Sequence, residues 1–541
     1  MTAFTRKEER HRAARAQSPG RLVPYEAMAD VDLHADRVYQ LQDALTEAVR
    51  ATEEGVQRFV EPASGTLRMA LSRRPHLIFG RRGSGKTSLL RKAIAEHNLD
   101  RRPSAFVDLE PFKGHTYPDV LISVLIEFFR SLKLWLDEAA VARKNQARVW
   151  QRWFSTPRKG PLARTAAKTI SAAIDDVLAD LERLLHEQDD AEIERRSQMS
   201  TKEEAKASAS VHVPGGPGVS AGASAEQGQT EEMLEKLRRS KANYLHRKIL
   251  EYQRLLKQVV ELAEADGLLI LDDLYYIRRS DQPLVVDYFH RLTKNQRLWL
   301  KIGTIRHRSN WYVRGDPAVG AKLGDDADAI NLDITLEKYR TAKTFLTKVL
   351  TEVAAGSKLQ PSEFLTDGAV DRLVLASGGV ARDFLSISNK AISVARERGE
   401  TFRGTKVNTE DVNQACGEHE GTKREELSND AGNDQAVLVQ EFERVRAFCL
   451  DQKKVNCFLV EKDLATDGYR QIQELVDLRL LHLVKSRVTV RDRRGKIYEA
   501  YLLDLSQYTG ERKKRDMSMI DFWKTGAEDE LRRTALIYEP S

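Results

Sequence analysis

The chain has 541 residues, 41% of them hydrophobic and 31% charged, with a formal net charge of +6. That length exceeds one hydrophobic core and calls for two to four domains, and so small an excess of positive charge does not by itself argue for nucleic acid. No window approaches the run of about 18 apolar residues that a membrane span needs, so no membrane contact is expected. The three cysteines (Cys416, Cys449, Cys457) have neither metal-ligand spacing nor an even-numbered framework, which predicts a reducing, cytoplasmic setting.

In chain order, "MTAFTRKEERHRAARAQ" is basic but leads into no apolar signal core, so residues 1–24 are expected to be a disordered basic N-terminus. Residues 30–60 read as a linker and an amphipathic helix. Then comes "HLIFGRRGSGKTSLLRKA" (76–93), in which an apolar strand ends in glycine and a glycine-rich turn opens a helical pattern. Gly80-x-x-x-x-Gly85-Lys86-Thr87 is a complete P-loop. Its glycines let consecutive N–H groups point into one concavity, and the helix start adds its positive end at the same point. Gly80, Arg81, Arg82, Gly83, Ser84, Gly85, Lys86, Thr87 and Ser88 are therefore the candidate nucleotide-binding residues. Lys86 would reach the β- and γ-phosphates of ATP, and the Thr87 hydroxyl would ligate Mg²⁺. A chance glycine-rich turn is the competing reading, and the strand before and helix after the motif count against it.

"SAFVDLEPFKGHTYPDVL" (104–121) supplies a second strand and the start of a buried helix. Residues 133–195 and 229–265 read as long charged helices around a small, glycine-rich stretch (208–229) with too little apolar surface to order itself. The expectation is a helical hairpin projecting from the core with a flexible tip. Its segment 143–168 is basic and carries Trp150, Trp153 and Phe154. Such a pattern suits DNA or an acidic partner, and equally a helix whose aromatics pack inward.

"GLLILDDLYYI" (267–277) is a buried strand ending in Asp272 and Asp273. Alone it would read as a strand closing in a solvated turn. Downstream of a P-loop, Asp272 becomes the candidate metal carboxylate and Asp273 the candidate that orients or deprotonates the attacking water. The second acid is Asp rather than the longer Glu, which predicts slow turnover. Further on, "LWLKIGTIRHRSNWYVRG" (298–315), "AINLDITL" (329–336) and "LASGGVARDFLSISNKAISVA" (375–395) complete a parallel sheet with helices on both faces and an appended helical lid.

The order of these segments, from about residue 25 to 415 without the insertion, resembles the AAA+ and STAND branch of P-loop ATPases. It is most similar to origin-recognition-like AAA+ proteins. The resemblance implies that Thr304 or Arg306, at the tip of "GTIR", senses the γ-phosphate, and that Arg382 of "SGGVARD" reaches the phosphates from the lid. It further implies homo-oligomers, with Arg308 or Arg314 as the finger into a neighbouring site, an adenine cradle within Tyr25 to Asp36, and a last lid helix capped by Thr409. Solvated or salt-bridged surface arginines remain the plain alternative for each arginine. Arginine suits the phosphate role because its planar fork meets phosphate oxygens bidentately.

The expected organisation is a nucleotide-binding core at 25–132 and 266–336, a helical insertion at 133–265 with its tip near 200–229, and a lid at 337–420. A C-terminal domain at 436–508 and a tail at 509–541 follow. In that domain "CFLVEKDLATDGYRQIQELVDLRLLHLVKSRVTVRDRRGKIYEAYLLDL" (457–505) reads as a short helix, a turn at Asp467-Gly468, a helix to about Leu481 and two strands around "RDRRGK". This resembles a winged helix. Its helix offers Tyr469, Arg470, Gln471 and Gln473 but also Glu474 and Asp477, and its wing offers Arg491, Arg493, Arg494 and Lys496. Both DNA and protein stay open as its partner. Two functions follow. One is a slow ATP-dependent switch in a bacterial conflict or phage-defence module, gating an effector protein such as a nuclease. The other is an initiator, loader or transposition-type regulator acting on duplex DNA. A metabolic kinase is disfavoured, since a lid and winged helix accompany the P-loop.

Overall fold

The computed structural model describes residues 30–50, 54–141, 162–209, 221–399, 404–430, 435–462, 466–510, 516–524 and 526–540. The basic N-terminus, Trp150, Trp153 and Phe154, and the core of the glycine-rich stretch at 210–220 lie outside them.

Helix α1 (Asp36–Ala48) precedes strand β1 (His76–Phe79) and the P-loop helix α2 (Lys86–Leu99). Strand β2 (Ser104–Asp108) leads to helix α3 (Asp119–Ala140), which is buried on most sides. Helices α4 (Arg164–Ala209) and α5 (Ala221–Ala263) form the insertion. Strand β3 (Gly267–Asp272), helix α6 (Gln282–Thr293) and strand β4 (Leu298–Thr304) follow. A two-stranded hairpin, β5 (Tyr312–Val313) and β6 (Val319–Gly320), stands before β7 (Asp328–Asn331).

The main sheet has the order β2-β3-β4-β1-β7 with every pairing parallel. Its strands are continuous apolar runs because helices cover both faces. In this order β4 lies between β3 and β1, and the carboxyl ends of all three open on the same edge of the sheet, where ligands bind in open α/β sheets. The lid consists of α7 (Tyr339–Ala354), α8 (Asp367–Ser377), α9 (Ala381–Arg398) and α10 (Thr409–Asp430). The C-terminal unit contains α11 (Gln435–Ala447), β8 (Cys457–Glu461), α12 (Asp467–Asp477), β9 (Leu481–Val488) and β10 (Tyr498–Leu503). Its antiparallel sheet, ordered β8-β10-β9, with the β9–β10 wing gives the winged-helix arrangement. The α/β class with lid, helical hairpin and winged helix is thus as the sequence predicts.

Several local expectations are corrected. The segment at 457–461 is a strand, since Cys457–Glu461 pairs with β10 through backbone bonds, and α12 stops at Asp477 because Leu481 already belongs to β9. Helix α3 runs unbroken to Ala140, so the insertion begins after it and not at 133. Residues 221–229, expected to be flexible, open helix α5. Residues 421–430, beyond the expected end of the lid at 420, continue α10. Its cap is Asn408 rather than Thr409: Asn408 Oδ1 accepts from the Glu410 and Asp411 N–H groups at 2.9 and 3.3 Å, and Asp411 returns the bond to Asn408 N–H at 2.8 Å. The three cysteines are free and buried, and burial pushes the Cys416 thiol up to about 12. Among the described residues no helix is long and apolar enough to cross a membrane.

Candidate functional site

A cavity of about 600 Å³ opens where β1 and β3 end, between the P-loop, the segment after α1 and the lid. Phe79 closes β1, and the Gly80 N–H donates to Thr304 O at 3.2 Å, tying the loop to β4. Gly83 (φ +83°) and Gly85 (φ +97°) take left-handed backbone that L side chains rarely adopt. The turn they make aims the N-terminus of α2 into the cavity. Arg82, Gly83, Ser84, Gly85, Lys86, Thr87 and Ser88 all line it. The buried Ser84 Oγ has no partner among the described residues, a sign that the cradle is shaped for an acceptor from outside the chain.

Lys86 is 5% exposed and curls over the loop, donating to Gly80 O at 3.0 Å. Its Nζ stands 3.7 Å from Asp273 Oδ1. Asp272 is buried, accepts the Asp273 N–H at 3.0 Å, and bonds to the Thr87 hydroxyl. Burial, and then the charge of Asp273, push Asp272 up to about 7. Burial likewise raises Asp273, while Lys86 and Arg382 pull it down and Asp108 and Glu110 add repulsion. Thr87 and Asp272 form a hard-oxygen donor set, and the pull of Lys86 on the desolvated Asp272 carboxylate falls short of compensating its burial. Both facts fit Mg²⁺, which prefers one or two protein oxygens plus substrate phosphates and water. Among the described residues no group of three or more His, Cys, Asp or Glu is arranged to hold a metal unaided.

The remaining candidates divide. Arg382 lines the cavity from the first turn of α9, and its N–H donates to Gly83 O at 3.3 Å. Thr304 and Arg306 are not among the lining residues. Thr304 is fully buried with its hydroxyl on Ser309. The Arg306 guanidinium lies 4.0 Å from the Phe79 ring centroid, near Asp333 and Asp477, which turns it toward β7 and the C-terminal unit. Arg308 stands over the Tyr275 ring and Arg314 is exposed.

Arg81 also departs from the expected role. Its side chain is 3% exposed and points away from the cavity, donating to Asp333 Oδ1 at 3.2 Å and to Ile334 O and Gly378 O at 3.0 Å each. It fastens the P-loop to the lid. The stretch proposed to cradle adenine does not line the cavity where it is described: Val31 and Leu33 are buried in the lid core. The apolar wall is made instead by Val49, Val60 and Pro62 with Phe345, Val349 and Leu385 of the lid. Sequence reasoning also missed Glu110 and the paired rings of Tyr275 and Tyr276, 4.4 Å apart, on the polar side. It missed Gly303 as well, where a Cβ would overlap Asp272 Oδ1. A carboxylate-ended strand next to a glycine on its neighbour is a signal that could have found it.

The fold and cavity define a P-loop protein of the parallel-sheet, lidded type. No family model and no curated protein matches the chain. Among solved structures it is similar to the Orc1 protein of Aeropyrum pernix in complex with DNA, at 16% identity over 86% of this chain and 93% of that one, with a TM-score of 0.35. It is also similar to Cdc6p of Pyrobaculum aerophilum, at 11% identity over 85% and 92%, with a TM-score of 0.30.

Proposed function

We propose that the chain binds ATP with Mg²⁺ and hydrolyses it slowly, as a switch that sets the lid and the winged helix. The observation that carries this reading is the convergence of the P-loop, Lys86, the Asp272–Asp273 strand end and Arg382 of the lid on one cavity. In it, the loop N–H groups and Lys86 hold the phosphates, and the wall of Val49, Val60 and Phe345 takes the base. Asp273 holds the water for in-line attack, its protons drawn toward a carboxylate already desolvated. Mg²⁺ held at Thr87 and Asp272 would supply positive charge to the β- and γ-phosphate oxygens. Arg382 joins the lid to the γ-phosphate, so that its loss frees the lid, a switch of the ordered-segment kind.

The partner in this reading is a protein, in a conflict or phage-defence module, and the subunits assemble as homo-oligomers. The placement of α12 favours it over duplex DNA. Arg279 reaches Glu474 at 3.4 Å, the His307 N–H donates to Asp477 Oδ2 at 3.1 Å, and Tyr469 and Gln473 turn to Glu499 of their own sheet at 2.9 and 3.1 Å. Much of the face a DNA reader would present is thereby occupied, with Arg470 left half-exposed. A DNA reading keeps one support, the exposed Arg491, Arg493 and Arg494 of the wing. Steady-state ATP hydrolysis with and without duplex DNA, blanked by K86A, decides between them. Slow turnover indifferent to DNA is expected; several-fold, salt-sensitive stimulation would give the DNA reading instead.

A further inference from the structure

Behind Arg382, away from the cavity, lies a buried cluster of charges that the switch reading leaves unused. Asp383, the next residue on α9, is 1% exposed and accepts from Arg479 Nη1, which belongs to the turn between α12 and β9. Lys423 of α10 stands 3.9 Å from the other Asp383 oxygen and donates to Asp504 at 2.5 Å. Asp504 also pairs with His482 Nε2 at 2.8 Å and accepts from the Ser506 N–H at 3.1 Å. The His482 ring packs so closely on Gly378 that a Cβ there would overlap it. The carbonyl of that same Gly378 takes Arg81 of the P-loop at 3.0 Å.

Two of the points at which the C-terminal unit holds the lid adjoin the P-loop contacts. Gly378 lies between His482 and Arg81. Asp383 is anchored by Arg479, while its neighbour Arg382 donates its N–H to Gly83 O. Burying charges at such a junction is costly unless each is paired, and removing one partner leaves the other stranded. Burial opposes the charge of Asp383, yet Arg479, Lys423 and His419 outweigh it and hold the carboxyl below its ordinary range. The first turn of α9 cannot rotate without breaking that set.

Building on the nucleotide reading above, we propose that Arg479 of the C-terminal unit is a positioning residue for the ATPase site. Through Asp383 it fixes the turn of α9 that presents Arg382 to the γ-phosphate. ATP in place of ADP is then felt at Arg479, and displacement of the C-terminal unit by a partner is felt in the cavity. A residue about 100 positions beyond the lid arginine tunes nucleotide discrimination without touching nucleotide, by a coupling that thermodynamics makes reciprocal.

The test measures ATP and ADP affinity side by side on the full chain for the wild type, R382A, R479A, R479K and the double variant R382A/R479A. R479A is expected to weaken ATP about tenfold and to leave ADP unchanged, because only ATP carries the group Arg382 meets. R479K keeps a cation at Asp383 and should retain most of the preference. The double variant should lose no more than R382A alone, since the two act in series. Equal weakening of ATP and ADP by R479A, no weakening at all, or additive losses in the double variant would overturn the proposal while leaving the nucleotide site intact. If R479A does not fold, D383N takes its place, and the same losses support or overturn the proposal. A wild type that binds neither nucleotide would overturn the ATP reading, and this one with it.

Discussion

Two buried acidic pairs lie on either side of the first turn of α9, and they titrate in opposite directions. Asp273 lines the cavity with Asp272 buried directly behind it; burial raises both, with repulsion from Asp273 on Asp272 and from Asp108 and Glu110 on Asp273. Asp383 of the lid and Asp504 of the C-terminal unit meet at their junction and are both lowered: burial opposes their charge, but Arg479, Lys423 and the hydrogen bond of His482 overcome it. Asp272, Asp383 and Asp504 are alike in burial, and even the partly exposed Asp273 is raised, so the difference lies in the cations. The first pair has one shared lysine and is built to receive charge from outside the protein. The second is neutralised by the chain itself and serves as a joint.

The largest effect should come from the cation of the first pair. K86A removes the ammonium between the loop and Asp273, and ATP affinity by equilibrium binding should fall at least about 100-fold, as expected when a buried charged contact is lost. D273N should leave ATP bound and lower turnover by about 10²–10⁴-fold in a single-turnover assay; unchanged turnover would remove Asp273 from its assigned task. On the other side, D504N strands Lys423 and should destabilise the fold by about 3–5 kcal/mol in a denaturant titration, with nucleotide binding surviving in the folded fraction. A milder break is G303A, whose methyl overlaps Asp272 Oδ1 and should displace that carboxylate. Its signature is a several-fold rise in the Mg²⁺ concentration needed for half-maximal hydrolysis, with little change in melting temperature.

The smallest effect is the pH response. His482 and His419 are lowered, chiefly by burial, and His76 and His97 are pushed down to about 4 by the same cause. Each stays neutral in the fold while the unfolded chain takes up a proton near pH 6.5. The histidine contribution to stability should therefore be constant above about pH 7 and fall progressively as pH drops toward 4, while Asp272, raised to about 7, contributes with the opposite sign over the same range. Thermal melts across that range check it, and H76Q should flatten part of the slope.

What could be read in advance was what is local in sequence. The P-loop spells its geometry within eight consecutive positions, and the Asp-Asp strand end needs only an apolar run before it. Two of the loop's three glycines, Gly83 and Gly85, have the positive φ that turns it back on itself. Interactions across the chain were not legible. Arg81 looks like one more phosphate ligand until Asp333 and Gly378 arrive from 252 and 297 residues away. Arg479 and Asp383 are 96 apart, and no periodicity or composition links them. The short-helix reading of 457–461 failed for the same reason: a fully buried five-residue strand looks like a buried helical turn until its partner, β10, is known.

The place of the insertion has a consequence for how the molecule is made. Strands β2 and β3 pair in register, Ser104 with Leu268 through Asp108 with Asp272, yet the whole of α3, α4 and α5 is threaded between them. Among the described residues β1 pairs with β4 and β7, both far downstream. As the chain leaves the ribosome, at about 5–20 residues per second, β1 and β2 thus emerge with no neighbour to receive their backbone groups. The helices, whose contacts are mostly near in sequence, can form at once. The sheet must wait for β3 and β4. The phosphate cradle is written early in the message and completed late, and through that interval two apolar strands need shelter from other nascent chains.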